Sequence, residues 1–467
     1  MAPPVNSEKT SLIPNSRDAE RQTTIRTVRQ NLTALCVVWM FTFTAYSGLQ
    51  NLEASLNLDL GIYSLAAITG SGLITCILAP AIIKFTGCKG ALIISWICFC
   101  VFVGSNYYPK TYSLIPGSII IGLGTGLLWT AQGVYVTTSA LDYSDVTGEK
   151  IDSVVSRFFG IFCMAFQSTQ IWGNLISSLV FRDVNNNITI DDVTHCGADD
   201  CPVNLPPFSN QTSPISNKPD DTTVYVLLTI YLGCVVAGLV ITVLFLKPIK
   251  SRGSERDTGA MTLLTSTLRL LVTDLNMVLL VPFCLYTGME QVVLFAEYTK
   301  SFVTCSLGID WVGYTMICFG VCNTIGSPIV GWLCRYVGRG VLFLFAAVMN
   351  IALIITMLLW HPSPSNKVMF FVVPGLWGMA DAVWQTQSAA LIGVVFAHKQ
   401  GPAFGNLRMF QAMGFTIAYI YSNQLCQYVK LYLIGAFLVV SLTLVGVVHI
   451  RRKNHPNSNY TRVGDVT

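Results

Sequence analysis

Tyr46-Ser47-Gly48-Leu49-Gln50-Asn51 is a polar hexamer set in an apolar segment, and Tyr286-Thr287-Gly288-Met289-Glu290-Gln291 repeats its pattern 240 residues later. Polar side chains in hydrocarbon are costly, so such a stretch is expected to face a cavity or a protein partner. Its presence in matching segments predicts a pseudo-symmetric membrane protein with a polar centre. Three further pairs follow in the same order. Trp129-Thr130-Ala131-Gln132 matches Trp384-Gln385-Thr386-Gln387, and Phe159-Gly160 with Phe166-Gln167 matches Phe404-Gly405 with Phe410-Gln411. Lys84-Phe85-Thr86-Gly87 matches Arg335-Tyr336-Val337-Gly338. Offsets between 240 and 255 residues mark a duplicated unit.

Composition agrees. Of 467 residues, 52% are hydrophobic and 11% charged, with mean hydropathy +0.58, whereas soluble domains carry about 25% charge. The net charge of +4 is too small and too dispersed to argue for nucleic acid. Most of the fifteen cysteines stand in apolar runs, where they read as small hydrophobic residues. The five histidines fall in loops or at segment ends, and no CxxC pair stands beside one, so neither a metal nor any other cofactor is expected. No nucleophile–base pair or phosphate loop is recognisable, which argues against an enzyme. The residues before the first apolar segment do not read as a secretory signal, so that segment is expected to act as its own insertion signal.

Segments of about 20 apolar residues suffice to cross a bilayer. Twelve are read: 32–52, 62–85, 91–108, 113–139, 155–181, 224–246, 274–297, 309–334, 341–360, 368–396, 404–425 and 431–450. The fold class is therefore all-α, with twelve transmembrane helices as two pseudo-symmetric six-helix bundles. The organisation is a tail (1–31), a first bundle (32–247) with a long loop (182–223), a connector (248–273), a second bundle (274–450) and a second tail (451–467). Gly122, Gly124 and Gly126 are suited to close helix packing.

With both termini in the cytoplasm, 22 Lys and Arg fall on the cytoplasmic side and 6 on the other, as the positive-inside rule requires. The outer loop then carries two glycan acceptors, Asn187 and Asn210. Its Cys196 and Cys201 can close a short disulfide, with Cys305 as an alternative partner. In the tails, Glu8 with Leu12 and Ile13 fits an acidic dileucine sorting pattern, and Tyr460 with Val463 fits a tyrosine-based one. Such signals are addresses read by endocytic adaptors. They imply plasma membrane location with cycling through endosomes or lysosomes.

Two six-span halves joined by a connector resemble the major facilitator superfamily. Gly331-Trp332-Leu333-Cys334-Arg335-Tyr336-Val337-Gly338-Arg339 resembles that superfamily's loop motif, except that Arg335 stands where the motif has an aspartate. Lys84 replaces it in the first half. That acid helps latch the halves together in the superfamily, so its loss puts ordinary alternating access in doubt. The resemblance places spans 1, 4, 7 and 10 around a central cavity, with Tyr46, Gln50, Trp129, Gln132, Tyr286, Glu290, Asp381, Trp384 and Gln387 as lining residues and Glu53 near the outer surface. Residues three or four apart share a helix face. Glu290 and Asp381 are the intramembrane acids, able to carry a proton, bind a cation or hold the halves together. Arg157 and Arg408 are expected to anchor span ends.

Longer strings carry a closer resemblance. Tyr46-Ser47-Gly48-Leu49-Gln50, Gly173-Asn174-Leu175-Ile176-Ser177-Ser178 and Gly378-Met379-Ala380-Asp381-Ala382-Val383-Trp384-Gln385-Thr386-Gln387 are similar to the uncoordinated-ninety-three family, especially its A branch. The resemblance implies the twelve-span fold and a regulatory or accessory role toward a potassium channel, with the lipid bilayer and channel subunits as partners. The family defines no transport site to carry over. Two rival readings are a secondary transporter of a small polar or cationic solute, proton-coupled through Glu290 or Asp381, and a trafficking chaperone for membrane receptors.

Overall fold

The computed structural model describes residues 16–56, 58–180, 196–201, 221–249, 265–307, 310–422 and 424–454. Asn187, Asn210, Glu8, Leu12, Ile13, Tyr460 and Val463 lie outside the described residues, as do the side chains of Gln50 and Glu53. The helices are α1 (Ser16–Leu56), α2 (Leu58–Ser105), α3 (Thr111–Thr147), α4 (Ile151–Val180), α5 (Asp221–Phe245) and the short α6 (Ser266–Thr273). There follow α7 (Leu275–Leu307), α8 (Asp310–Val337), α9 (Arg339–Leu359), α10 (Met369–Val395), α11 (Gln400–Ser422) and α12 (Gln427–Asn454). Within α7 the stretch Val293–Thr304 is wound as a π-helix. α2 crosses twice and α6 not at all, which makes twelve crossings.

The duplicated loop is a duplicated backbone corner. Gly87 turns the first arm of α2 into the second at φ 70° and ψ 165°. Gly338 turns α8 into α9 at φ 80° and ψ 158°. Only glycine takes positive φ without steric cost, so this repeat preserves a turn.

Among the described residues, eight helices are long and apolar enough to cross a membrane on composition alone. The shortfall is in α4, α10 and α11. These carry Gln167 and Asn174, Asp381, Gln385 and Gln387, and Asn406, Arg408 and Gln411, respectively. Their polar residues are directed into the bundle and depress the average.

Each half has an aromatic core built to the same plan. In the first, Phe43 packs on Trp129 at 5.2 Å, on Tyr46 at 5.8 Å and on Phe99 at 5.7 Å between ring centroids. In the second, Phe283 packs on Trp384 at 6.1 Å and on Phe343 at 5.2 Å, with Tyr286 on Trp384 at 5.2 Å. Aromatic pairs at these distances stabilise beyond the area they bury. Gly122 and Gly126 lie against the backbone of α2, at Ile68 and Gly72, as small residues on a helix interface do.

The halves meet along α4 on α8 and along the first arm of α2 on α11. Gly160 lies against Gly331 and Gly405 against the carbonyl of Cys76. α6 lies between halves too: the Thr267 hydroxyl donates to the Ile77 carbonyl at 3.2 Å, and Asn406 donates to the Thr267 carbonyl at 2.8 Å. On the face opposite the termini, the turn Gly197–Asp199 belongs to the loop after α4 yet sits on the second half. Cys196 is bonded to Cys305 at the end of α7, and Cys201 to Cys426 ahead of α12. The Cys196–Cys201 bridge drawn from spacing is thus not formed. The intervening helical turn sends the two sulfurs to different helices, and the backbone N–H of Gln427 donates to the Asp200 carbonyl at 2.9 Å.

The hexamer glycines admit close neighbours. A Cβ on Gly48 would meet the Tyr231 ring of α5, whereas one on Gly288 would strike the backbone carbonyl of Gln411 in α11. A ring can swing away and a helix backbone cannot. Gly288→Ala is expected to cost about 1–3 kcal/mol. Unfolding in detergent by denaturant titration measures it, with Gly104→Ala as control because nothing lies within 4 Å of that position.

Candidate functional site

Asp381 sits at mid-length in α10, fully buried, inside a cage of amides drawn from four helices. One carboxylate oxygen accepts from the Asn323 amide of α8 and from Gln167 of α4 at 3.2 Å. The other accepts from Gln291 of α7 at 3.3 Å and Gln385 of α10 at 3.1 Å. A buried carboxylate is tolerated when donors replace the lost water, and here every donor is a neutral N–H. Gln167 belongs to the first half and the other donors to the second, so the anion also bridges the halves.

The amides are oriented by the groups at the ends of the chain. Arg408 can only donate, and its Nη1 donates to Gln411 Oε1 at 2.6 Å. Gln411 Nε2 then donates to Gln385 Oε1 at 3.3 Å, and Gln385 Nε2 donates onward to Asp381. The Arg408 guanidinium and the Asp381 carboxyl are therefore joined through two glutamines. The guanidinium carbon lies 4.7 Å from the ring centre of Trp129, in the other half, a favourable cation–π geometry. Arg408 was expected to anchor a span end; it points into the bundle instead, because α11 begins at Gln400 and carries position 408 two turns inward.

Glu290 is fully buried and accepts from the Trp377 indole at 2.9 Å. Its other oxygen has no donor among the described residues. Its carboxyl lies beside Asp381 and Gln385. The two acids expected in the membrane are thus neighbours in one polar centre.

The remaining expected lining residues divide. Trp129 faces Arg408. Gln132 is fully buried with neither amide atom partnered. Tyr46 is half-buried with its ring against Phe43, Phe99 and Phe102, so aromatic packing occupies it. Tyr286 and Trp384 are fully buried in the second aromatic core, and the Tyr286 hydroxyl accepts from Asn350 at 2.7 Å. These two are packing residues, not lining ones: shared helix face was read correctly, but two of the faces point into a half rather than between halves.

Gln387 lies nearer the terminal face. Its carbonyl oxygen accepts from Ser156 of α4 at 3.2 Å and from Arg339 of α9 at 3.3 Å. Arg339 also reaches the Ser156 hydroxyl at 3.3 Å and Asp152 at 3.9 Å. The missing loop aspartates therefore do not leave the halves unlatched. Arg339, the last basic residue of the loop motif, instead reaches across to Ser156 and Asp152 at the start of α4.

Gln167, Asn323, Gln385, Gln411 and Arg408 were not singled out as site residues. All but Asn323 and Arg408 stand inside the repeated strings, and that was the available signal. Among the described residues no three His, Cys, Asp or Glu side chains gather as a metal site would need.

The family model for "Ion channel regulatory protein UNC-93" matches residues 53–445. "Protein unc-93 homolog A" of Xenopus laevis is 39% identical over 452 residues, covering 93% of this chain and 97% of that protein. The Homo sapiens protein of the same name is 38% identical, covering 91% and 94%. The Caenorhabditis elegans "Putative potassium channel regulatory protein unc-93" is 31% identical, covering 92% of this chain and 62% of that one. Among solved structures, the major facilitator superfamily transporter FucP in its outward conformation superposes with a TM-score of 0.64 at 13% identity, over 89% and 98% of the two chains. The chain is a multi-pass membrane protein with the major facilitator fold, and it belongs to the UNC-93 family.

Proposed function

We propose that this protein is a regulatory subunit of a potassium channel at the plasma membrane, acting by lateral helix contact or by assisting delivery of the channel. The observation that carries this reading is the family match over residues 53–445, whose model is described as an ion channel regulatory protein. α9 is suited to lateral contact, since Val341, Leu344, Phe345, Val348 and Ile355 are exposed along it. Inter-half contacts made through buried side chains and two disulfides favour a scaffold over a freely rocking carrier. No chemistry on a substrate is involved.

Both termini are placed in the cytoplasm. The charge bias supports this, and so do the two bridges on the opposite face, since disulfides persist in oxidising compartments. That face then bears glycans at Asn187 and Asn210, and the tail signals address endocytic adaptors.

Native-membrane cross-linking and co-purification test the reading, paired with current recordings in cells lacking the protein. A potassium-channel subunit in the purified complex and an altered potassium current are expected. Purification without any channel subunit, with unchanged current, overturns it. Loss of a mobility shift on glycosidase treatment in Asn187→Gln with Asn210→Gln checks the orientation.

A further inference from the structure

We propose that the centre of the bundle binds a small organic carboxylate, with Arg408 as its counter-ion and Trp129 as the surface its apolar part rests on. This goes beyond channel regulation and does not depend on it.

The argument rests on how the charges are already used. Asp381 has both oxygens filled, two amide N–H groups to each. Glu290 takes the Trp377 indole. A cation seeking Asp381 would have to break that cage, while Glu290 keeps one oxygen without a donor among the described residues. Arg408 is in the opposite condition. A guanidinium offers five N–H donors in a fixed fork, and the hydrogen-bond partner it has among the described residues is the Gln411 carbonyl, through Nη1. Nε is buried without an acceptor. No carboxylate of a described residue lies within ion-pair distance. Against it lies the apolar Trp129 ring. A guanidinium that reaches a carboxyl only through two glutamines is poorly compensated in such surroundings, and a planar carboxylate suits its geometry.

Arg408, Trp129, Gln385 and Gln291 each keep partial accessibility, although they come from four different helices of the bundle. That shared accessibility is what a ligand would use, reaching the guanidinium away from Nε, which is closed off. Gln411, itself held by Gln385, holds the guanidinium by one corner, and Trp129 lies against it. A carboxylate approaching the free side meets a cation already oriented.

The probe is benzoate, with benzamide as its neutral isostere, tested on the full-length chain in detergent. Benzoate is expected to raise the thermal unfolding midpoint saturably, and benzamide to leave it unchanged at matched ionic strength. Arg408→Gln is expected to weaken the benzoate response by about tenfold to a hundredfold, as loss of charge-assisted hydrogen bonds implies. Arg408→Lys keeps the charge without the fork and falls between. A second measurement needs no variant. Phenylglyoxal modification of Arg408, read by peptide mass, is expected to slow several-fold with benzoate, while Arg157, which is paired with Glu149, is unaffected. Equal responses to benzoate and benzamide, or an unprotected Arg408, overturn the proposal.

Discussion

Asp381→Leu is expected to destabilise the protein by about 3–5 kcal/mol, the cost of removing one side of a buried charged network. Four amide donors lose their acceptor at once, and they lie on four different helices. Water cannot rescue all of them, because Asn323, Gln167 and Asp381 are fully or almost fully buried. Asp381→Asn keeps one carbonyl oxygen but turns an N–H group against two donors, so about 1–3 kcal/mol is expected. Glu290→Gln is the contrast: its amide carbonyl still accepts from Trp377, and it should stay within about 1 kcal/mol of the parent. Denaturant titration in mixed micelles orders the three. A leucine variant as stable as the parent would show that the amide cage does not hold the helices together.

The second large effect lies at the other end of the bundle. Cys305→Ser combined with Cys426→Ser removes two bridges that span 109 and 225 residues of sequence. Long closed loops restrict the unfolded chain most, and each bridge is expected to contribute about 2–5 kcal/mol. Digestion without reduction should yield peptides pairing Cys196 with Cys305 and Cys201 with Cys426. A peptide carrying Cys196 bonded to Cys201 would refute the arrangement. The double variant should unfold earlier and should lose no more on addition of reductant, whereas the parent does.

Much of this was legible in the chain. Span number and the two halves follow from apolar length and from the repeat, because hydrocarbon imposes both on any helix that crosses it. The Gly87 and Gly338 corners were visible as a repeated glycine, though not as a backbone conformation. Asp381 and Glu290 stood out because charge in a span is rare. Periodicity could not say toward which neighbour a face turns. Tyr286 and Trp384 share that ambiguity with Trp129, and only the last faces the polar centre. Arg408 was misjudged because distance from a span end was measured from hydropathy, and polar residues in α11 hide where that helix begins. Cys305 was legible as the alternative partner of Cys196, whereas the pairing of Cys201 with Cys426 depends on which helix ends meet in space, a relation between residues hundreds apart that local spacing does not encode.

The bridges from the loop after α4 have a topological consequence. A peptide connector joins the halves on the terminal face, and covalent sulfur joins them on the other. The chain is therefore a closed covalent ring threaded twice through the plane of the membrane. Cutting the connector between α5 and α6 would leave one molecule, not two. Only with the two bridges reduced would such a cut release two separate chains.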